Sequence, residues 1–234
     1  MRKRGKKYRS LKSKVEQKQY TLVEAVGFIR ENPAANFDET LDIAFRLGLD
    51  FTKSELTVRG TVSLPHGTGK NVRALVFATG AAADSARAAG ADIVGFEDII
   101  SKIQGGWLDF DVAIATSDAM KEVRKLGKFL GPRGLMPNPK TGTITEDVAA
   151  AVKQFKAGRV EFRMDRHGNI MVPFGKRSFD AQKLVENARA IIDSVISARP
   201  PAAKGIFIKR CVVSSTMGVG LPIQSREVSV SEEE

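Results

Sequence analysis

Two Gly-Lys pairs, at positions 69–70 and 175–176, come nearest to a phosphate-binding loop. A P-loop requires a glycine five residues before such a pair and serine or threonine directly after it. The first pair has Leu64 and Asn71 in those places, and the second pair fails at both positions as well. No GxGxxG follows a strand, and no GxSxG or HExxH pattern is present. The alternative of a nucleotide-using enzyme with its site in the middle of the chain therefore lacks its motifs.

The other side chains that could do chemistry do not form a catalytic set. Asp109 and Asp111 alternate near a strand start, where carboxylates are usually solvated. His66 lies in a glycine-rich loop and His167 in a basic turn, and two histidines are too few for most histidine-based metal sites. Cys211, the single cysteine, excludes an internal disulfide framework and is predicted to be a small core residue. We expect no catalytic residue, no metal and no cofactor.

Positive charge is the clearest signal in the composition. The 234 residues carry 37 Lys+Arg against 27 Asp+Glu, a formal net charge of +10. Such an excess predicts a polyanionic partner, with nucleic acid first and an anionic membrane surface second. The membrane alternative lacks both an apolar span and a strongly amphipathic basic helix with aromatic anchors. The excess is concentrated in residues 1–18, 120–140, 153–177 and 199–210.

The two ends of the chain are charged in opposite senses. Residues 1–18 hold nine basic residues and one acid, 9 − 1 = +8. That run predicts an arm that is mobile alone and orders on phosphates, with a solubilising tail as the alternative. Residues 229–234 are predicted to form a disordered acidic tail.

Both flanks of the chain show helical and alternating patterns. Thr21 and Glu24 form a capping box that opens a helix ending near Asn32. Apolar residues then alternate over 41–49 and again over 56–64, which predicts an antiparallel pair with one wet face. After residue 158, strands at 160–165 and 170–174 are predicted to pair across a turn at 166–169. A helix capped by Ser178 and running to 198 follows, and then a last strand at 206–215.

The middle of the chain alternates strand and helix, which predicts βαβ units and a mostly parallel sheet. Strands are predicted at 72–78, 93–95 and 110–115. Helices are predicted at 82–89, 96–104, 118–130 and 146–156, the last ending at Gly158.

The predicted fold class is therefore α/β, with two domains. A discontinuous outer domain, residues 1–67 and 158–228, is α+β with an antiparallel sheet and two helices. Residues 68–157 form an inserted three-layer α/β domain.

Two segments are unusual in composition. The loop 131–142, GPRGLMPNPKTG, has three prolines and three glycines in twelve residues, and long ordered loops of this kind are usually functional. Residues 214–220 combine small hydroxyl residues, Met217 and two glycines, which suits close contact with ribose and phosphate. A frayed strand end is the alternative for the second segment.

Four segments together resemble the ribosomal protein L-one family in its bacterial form. They are 37–40 (FDET), 65–70 (PHGTGK), 131–142 and 215–218 (STMG), and the resemblance extends in order from about residue 8 to 223. It implies two domains, one inserted in the other, and a ribosome-associated, cytoplasmic protein that is a monomer when free. It also implies binding to large-subunit ribosomal RNA at the mobile stalk beside the tRNA exit site, help with release of deacylated tRNA, and repression of the chain's own operon through its mRNA.

The resemblance also implies which residues contact RNA. Asn36 stands where the family often has lysine, and Val219 where proline is usual. Gly218 is expected to let the backbone approach RNA closely, so that a larger residue there would weaken binding without much change in stability. The predicted RNA-binding residues are Asn36, Phe37, Thr40, Arg166, His167, Lys176, Ser215, Thr216, Met217 and Gly218, with Arg133 and Lys140 as a secondary contact to RNA or tRNA.

Overall fold

The chain divides into two compact units. The computed structural model describes residues 5–49, 57–201, 203 and 205–227, so the predicted acidic tail and the first arm residues lie outside the described part. The outer unit comprises Met1–Gly69 and Val160–Glu234, and the inserted unit comprises Lys70–Arg159. Each crossing between the units lies two residues further along the chain than the sequence predicts.

The outer unit is built on a four-stranded antiparallel sheet with the order β7-β1-β8-β9. Its strands are β1 (Thr40–Leu47), β7 (Asn169–Lys176), β8 (Ile208–Ser215) and β9 (Leu221–Pro222). Burial alternates along β1, as the two-residue period predicts, because successive side chains of a strand point to opposite faces. One face of the sheet therefore joins the core and the other remains open.

The predicted pairing of the first two alternating segments is wrong. Both edges of β1 are occupied, by β7 on one side and β8 on the other, so β2 (Arg59–Ser63) has no place beside it. β2 instead pairs with β6 (Arg159–Arg163) in a separate two-stranded sheet. The predicted pairing of β6 with β7 is also wrong, because β7 pairs with β1 and β6 pairs with β2. The turn predicted at 52–54 lies outside the described residues.

Three α-helices are found in the described part of the outer unit. α2 (Leu22–Glu31) begins at the predicted capping box, in which Thr21 and Glu24 both form their hydrogen bonds. α8 (Ala181–Ser197) buries one face against the core, but Asp180 rather than Ser178 is its N-cap residue. α1 (Lys6–Lys14) is helical, with Leu11 buried, where the sequence predicts a mobile arm.

The inserted unit is a three-layer α/β structure, as predicted. β3 (Ala74–Phe77) lies between β4 (Ile93–Gly95) and β5 (Val112–Ala115), and both pairings are parallel. Successive residues of β3 enter different clusters: Leu75 and Phe77 pack on one side and Val76 on the other. The flanking helices are α3 (Ala81–Ala88) and α7 (Val148–Ala157) on one side, and α4 (Glu97–Gln104), α5 (Met120–Val123) and α6 (Gly127–Leu130) on the other.

The loop 131–142 is ordered by its own hydrogen bonds. Thr143 Oγ1 accepts from Asn138 N at 2.7 Å, and Thr141 Oγ1 donates to Asn138 O at 3.0 Å. Leu135 and Met136 pack against the core of the inserted unit. Within the described residues, we find no helix with the length and apolar character needed to cross a bilayer.

Candidate RNA interface

Most of the predicted RNA-binding residues lie at one end of the antiparallel sheet. The register pairs Thr40 with Lys176 and Leu41 with Ser215, so the start of β1 lies beside the ends of β7 and β8. Thr216 N donates to Thr40 O at 3.0 Å, which extends the pairing beyond the strand. We call this group the contact rim: Asn36, Phe37, Thr40, Lys176, Ser215, Thr216, Met217 and Gly218.

A buried carboxylate, that of Glu39, organises the contact rim. Glu39 is fully buried. Its Oε1 accepts from Ser215 Oγ at 3.2 Å and from Met217 N at 3.0 Å, while its Oε2 accepts from Ala34 N at 3.2 Å. Buried carboxylates persist when their oxygens are hydrogen-bonded, and these three bonds join the segment before β1 to the segment after β8. The residues predicted from the sequence do not include Glu39, although the two-residue period places it on the same face as Leu41.

The hydroxyl groups of the contact rim are already partly committed. Thr216 Oγ1 accepts from Thr40 N at 3.1 Å and donates to Thr40 O at 3.2 Å. Because a hydroxyl has one proton, Thr216 retains only acceptor capacity toward a ligand. Lys176 Nζ donates to Thr40 Oγ1 at 2.9 Å, so the Thr40 hydroxyl proton can still be donated outward.

Gly218 is required by its neighbours within the protein. A Cβ built at this position would collide with Ser215 Oγ, the atom that donates to Glu39. The Gly218 N–H also donates to Ser215 O at 3.1 Å. The expectation that a larger residue at Gly218 would leave stability unchanged is therefore not supported, because it would displace a buried hydrogen bond.

Two large apolar side chains project from the contact rim. Phe37 is 52% exposed and Met217 is 59% exposed. Asn36 is also exposed, and the neighbouring Asp38 accepts from Ser178 N at 3.0 Å and from Ser178 Oγ at 2.8 Å. Since exposed aromatic and thioether groups can pack on bases or sugars, this surface offers stacking groups rather than uncommitted carboxylates.

The local electrostatics favour an anion. Lys176 carries the positive charge at the end of β7, and Arg177 follows it with its N–H donating to Glu39 O at 2.9 Å. Burial raises the pKa of the Asp42 carboxyl, and the Lys176 ammonium opposes that rise. A raised carboxyl pKa reduces the negative charge on the open face of the sheet at low pH.

Arg166 and His167 do not lie with the contact rim. Asn169, which follows them, pairs with Arg46 near the far end of β1, about 20 Å from Thr40 at the rise of an extended strand. Both side chains are exposed. The RNA-binding residues predicted in the outer domain therefore lie in two places, the contact rim and a distant basic turn.

The predicted secondary contact lies in the inserted unit. Arg133 is exposed in the ordered loop, and the backbone of Lys140 forms part of the short 3₁₀ turn Pro139–Thr141. The structure therefore assigns these two residues to a different unit from the contact rim.

The carboxylates considered as a catalytic pair are engaged in ion pairs. Asp109 contacts the Arg73 guanidinium, and Asp111 accepts from Lys70 Nζ at 2.7 Å. The hydrogen bond from Lys70 is the main reason why the pKa of Asp111 is lowered. These contacts favour a structural role for both carboxylates.

The remaining candidates are also held by the fold. His66 Nε2 contacts Glu186, and His66 N donates to the buried Asn187 Oδ1 at 3.1 Å. Cys211 is buried in β8, and burial raises the pKa of its thiol to about 12, so it is not a reactive thiolate at neutral pH. Among the described residues, no group of three or more His, Cys, Asp and Glu side chains is arranged to hold a metal ion.

The fold and the contact rim together define a two-unit α/β protein with a surface suited to a polyanion. The chain belongs to the ribosomal protein L1p/L10e family, since a model of that family matches residues 29–219. As a member of this family it is a ribosomal protein and not an enzyme.

Relatives of high identity cover nearly the whole chain. It is 53% identical over 222 residues to the large ribosomal subunit protein uL1 of Thermobifida fusca, a match that covers 94% of each chain. It is 51% identical over 229 residues to uL1 of Kosmotoga olearia, covering 97% of this chain and 99% of the relative. It is also 51% identical over 224 residues to uL1 of Mycobacteroides abscessus, covering 95% of each.

Proposed function

We propose that this protein binds large-subunit ribosomal RNA at the mobile stalk beside the tRNA exit site, through its contact rim. One observation carries the proposal. The carboxylate oxygens of Asp38 and Glu39, the two acids of the rim segment, accept hydrogen bonds from within the protein. The rim therefore presents Phe37, Met217 and the Lys176 ammonium outward without a competing free carboxylate in that segment. This combination fits a phosphate backbone with unstacked bases.

The committed hydroxyls define the polarity of the contact. The Thr40 hydroxyl proton is free to be donated to a phosphate or base acceptor, whereas the Thr216 hydroxyl can only accept. A ribose 2′-OH is a donor that DNA lacks, so an acceptor at Thr216 favours RNA over DNA. Lys176 supplies a charge contact that carries no sequence information.

The test compares three variants of the full chain on a stalk RNA fragment and on a random RNA of equal length. Met217→Ala removes apolar packing and is expected to weaken stalk RNA binding by about 1–3 kcal/mol, with little effect on random RNA. Lys176→Ala is expected to weaken both RNAs and to reduce the salt slope by about 0.7–0.9. Ile206→Ala, at an apolar side chain outside the rim that is 74% exposed, is the control.

The pattern of losses decides the proposal. Met217→Ala and Ile206→Ala must differ on stalk RNA while all variants retain the melting temperature of the parent. Equal losses on stalk and random RNA for Met217→Ala would mean that the rim does not recognise the stalk.

We further propose that the protein assists release of deacylated tRNA from the exit site and represses translation of its own operon by binding the mRNA. Both roles are what the resemblance of segments 37–40, 131–142 and 215–218 to the bacterial L-one family implies, and the exposed Arg133 of the inserted unit supports an RNA contact there. Ribosomes carrying Arg133→Ala should release exit-site tRNA more slowly. Met217→Ala should relieve repression of a reporter preceded by the operon leader, and unchanged repression would refute a shared RNA surface.

A further inference from the structure

The helical segment 120–130 of the inserted unit has two distinct sides. α5, a 3₁₀ turn (Arg124–Leu126) and α6 follow one another without a break. Met120, Val123, Leu126 and Leu130 are buried in the core of the unit. At the helical repeat, the exposed residues fall on the opposite arc. These residues form what we call the basic arc: Lys121, Arg124, Lys125, Lys128 and Phe129.

The basic arc has more positive charge than its own acids can neutralise. Lys125 pairs with Glu122 at 2.6 Å. No acidic partner is found for Lys121, Arg124 or Lys128 among the described residues, and the nearest further acid in sequence is Asp118, which precedes the segment. Like charges three and four residues apart on a helix repel, so a polyanion laid across them would relieve that repulsion.

An aromatic ring stands within the same surface. Phe129 is 40% exposed, whereas the apolar residues of the segment that join the core are 8% exposed or less. An exposed phenylalanine among unpaired cations combines a stacking platform with phosphate contacts, which is how proteins hold unpaired bases of RNA.

We propose that the basic arc is a second RNA-binding surface, which takes RNA with an unpaired base stacked on Phe129 and flanking phosphates at Lys121, Arg124 and Lys128. It rests on the proposed function only in taking RNA as the partner. The contact rim belongs to the outer unit, so the two surfaces are built by different parts of the chain.

The test uses the full chain with a photoreactive residue, Phe129→p-benzoyl-L-phenylalanine. The probes are an RNA hairpin with an unpaired purine loop and a blunt RNA duplex with the same number of nucleotides. Gln104→p-benzoyl-L-phenylalanine, at an exposed position of α4, is the positional control. We expect crosslinks from position 129 to map to the loop nucleotides of the hairpin.

A matched pair of charge variants separates this surface from general electrostatics. Lys121→Glu/Lys128→Glu and Lys102→Glu/Lys153→Glu change the net charge equally, at exposed positions of the same unit. The first pair should lower crosslinking at position 129 about tenfold more than the second. If the first pair unfolds the protein, glutamine replaces glutamate in both pairs. Lys121→Gln/Lys128→Gln should then lower crosslinking at position 129 more than Lys102→Gln/Lys153→Gln.

Three outcomes would overturn the proposal: equal effects of the two charge pairs, equal crosslinking of hairpin and duplex, or equal crosslinking from positions 104 and 129. Lys176→Ala in the position 129 background keeps the two proposals apart. If position 129 still crosslinks to the hairpin loop but Lys176→Ala does not weaken binding of stalk RNA, only the proposed function of the contact rim is refuted. If Lys176→Ala weakens binding of stalk RNA but position 129 no longer prefers the hairpin loop, only the basic arc is refuted.

Discussion

At the residue scale, the contact rim depends on Glu39. This single buried carboxylate accepts three hydrogen bonds. One comes from Ala34, upstream of β1, and two come from Ser215 and Met217, which lie 176 and 178 residues further along the chain. These bonds fix the segment that carries Phe37 relative to the segment that carries Met217. Preorganised side chains lose less conformational entropy on binding, which favours affinity.

The collision at Gly218 leads to a stability prediction. Gly218→Ala should lower the free energy of unfolding by about 1–3 kcal/mol, because the new Cβ displaces Ser215 Oγ from the buried Glu39. In a Ser215→Ala background the Oγ is absent, so the same change should cost much less. Urea unfolding of the four chains gives this double-mutant cycle. Additive losses would show that Gly218 acts independently of Ser215.

At the element scale, β1 runs from the contact rim to the basic turn at residues 166–169. Its first residues carry the contact rim, and its last residues lie beside the turn that presents Arg166 and His167. That turn is held by Asp165, whose Oδ1 accepts from His167 N and Asn169 N, each at 2.8 Å. The side chain amide of Asn169 also donates to Oδ2 at 3.0 Å. The basic turn is therefore preorganised by a carboxylate, as the rim is.

Acid should loosen the basic turn. The Asn169 backbone hydrogen bond, with the other donors, lowers the pKa of Asp165 in the folded state. The stabilisation is therefore fully present above the unfolded-state pKa of about 3.9 and is lost as pH falls through the lower folded-state value. We expect the amide proton shifts of His167 and Asn169 in NMR spectra to titrate together below pH 3.9. Asp165→Asn should abolish this titration, and a midpoint above that of a free aspartate would contradict the assignment.

At the scale of the whole molecule, the connection leaving the outer unit is anchored to α8. The fully buried Asn187 donates to Gly67 O at 2.9 Å and to Phe174 O at 2.8 Å, and accepts from His66 N. All residues of the contact rim belong to the outer unit, and so does its core. The outer unit therefore contains its own core and the whole contact rim.

Removal of the inserted unit should leave a folded protein that binds RNA. Residues 1–67 joined to 159–223 by a short Gly-Ser linker should bind stalk RNA with the salt dependence of the full chain. Joining 1–64 to 159–223 in the same way should be less stable by about 1–3 kcal/mol, because Asn187 loses the partners at 66 and 67. Urea unfolding and RNA titration measure the two effects. A folded outer unit without RNA affinity would place the main surface in the inserted unit.

The sequence alone determined the elements whose signals are local. The capping box at Thr21 specified where α2 begins, and the two-residue period of β1 specified which residues are buried, because both depend on neighbours within a few positions. The change of pattern between flanks and middle predicted an inserted α/β unit at 68–157, and one compact unit of the structure comprises Lys70–Arg159. The RNA-binding role of the motifs at 37–40 and 215–218 came from a family resemblance and stays a prediction.

Only the tertiary structure decided which strands meet. The pairing of β1 with β7 and β8, instead of β2, depends on partners more than a hundred residues away, and alternation in one strand carries no information about its neighbour. The same long-range register brings Glu39 to Ser215 and Met217, gives Gly218 a packing role beside Ser215, and places Arg166 far from Thr216. Burial and hydrogen bonding between distant segments, rather than residue type, define the surface that this protein presents.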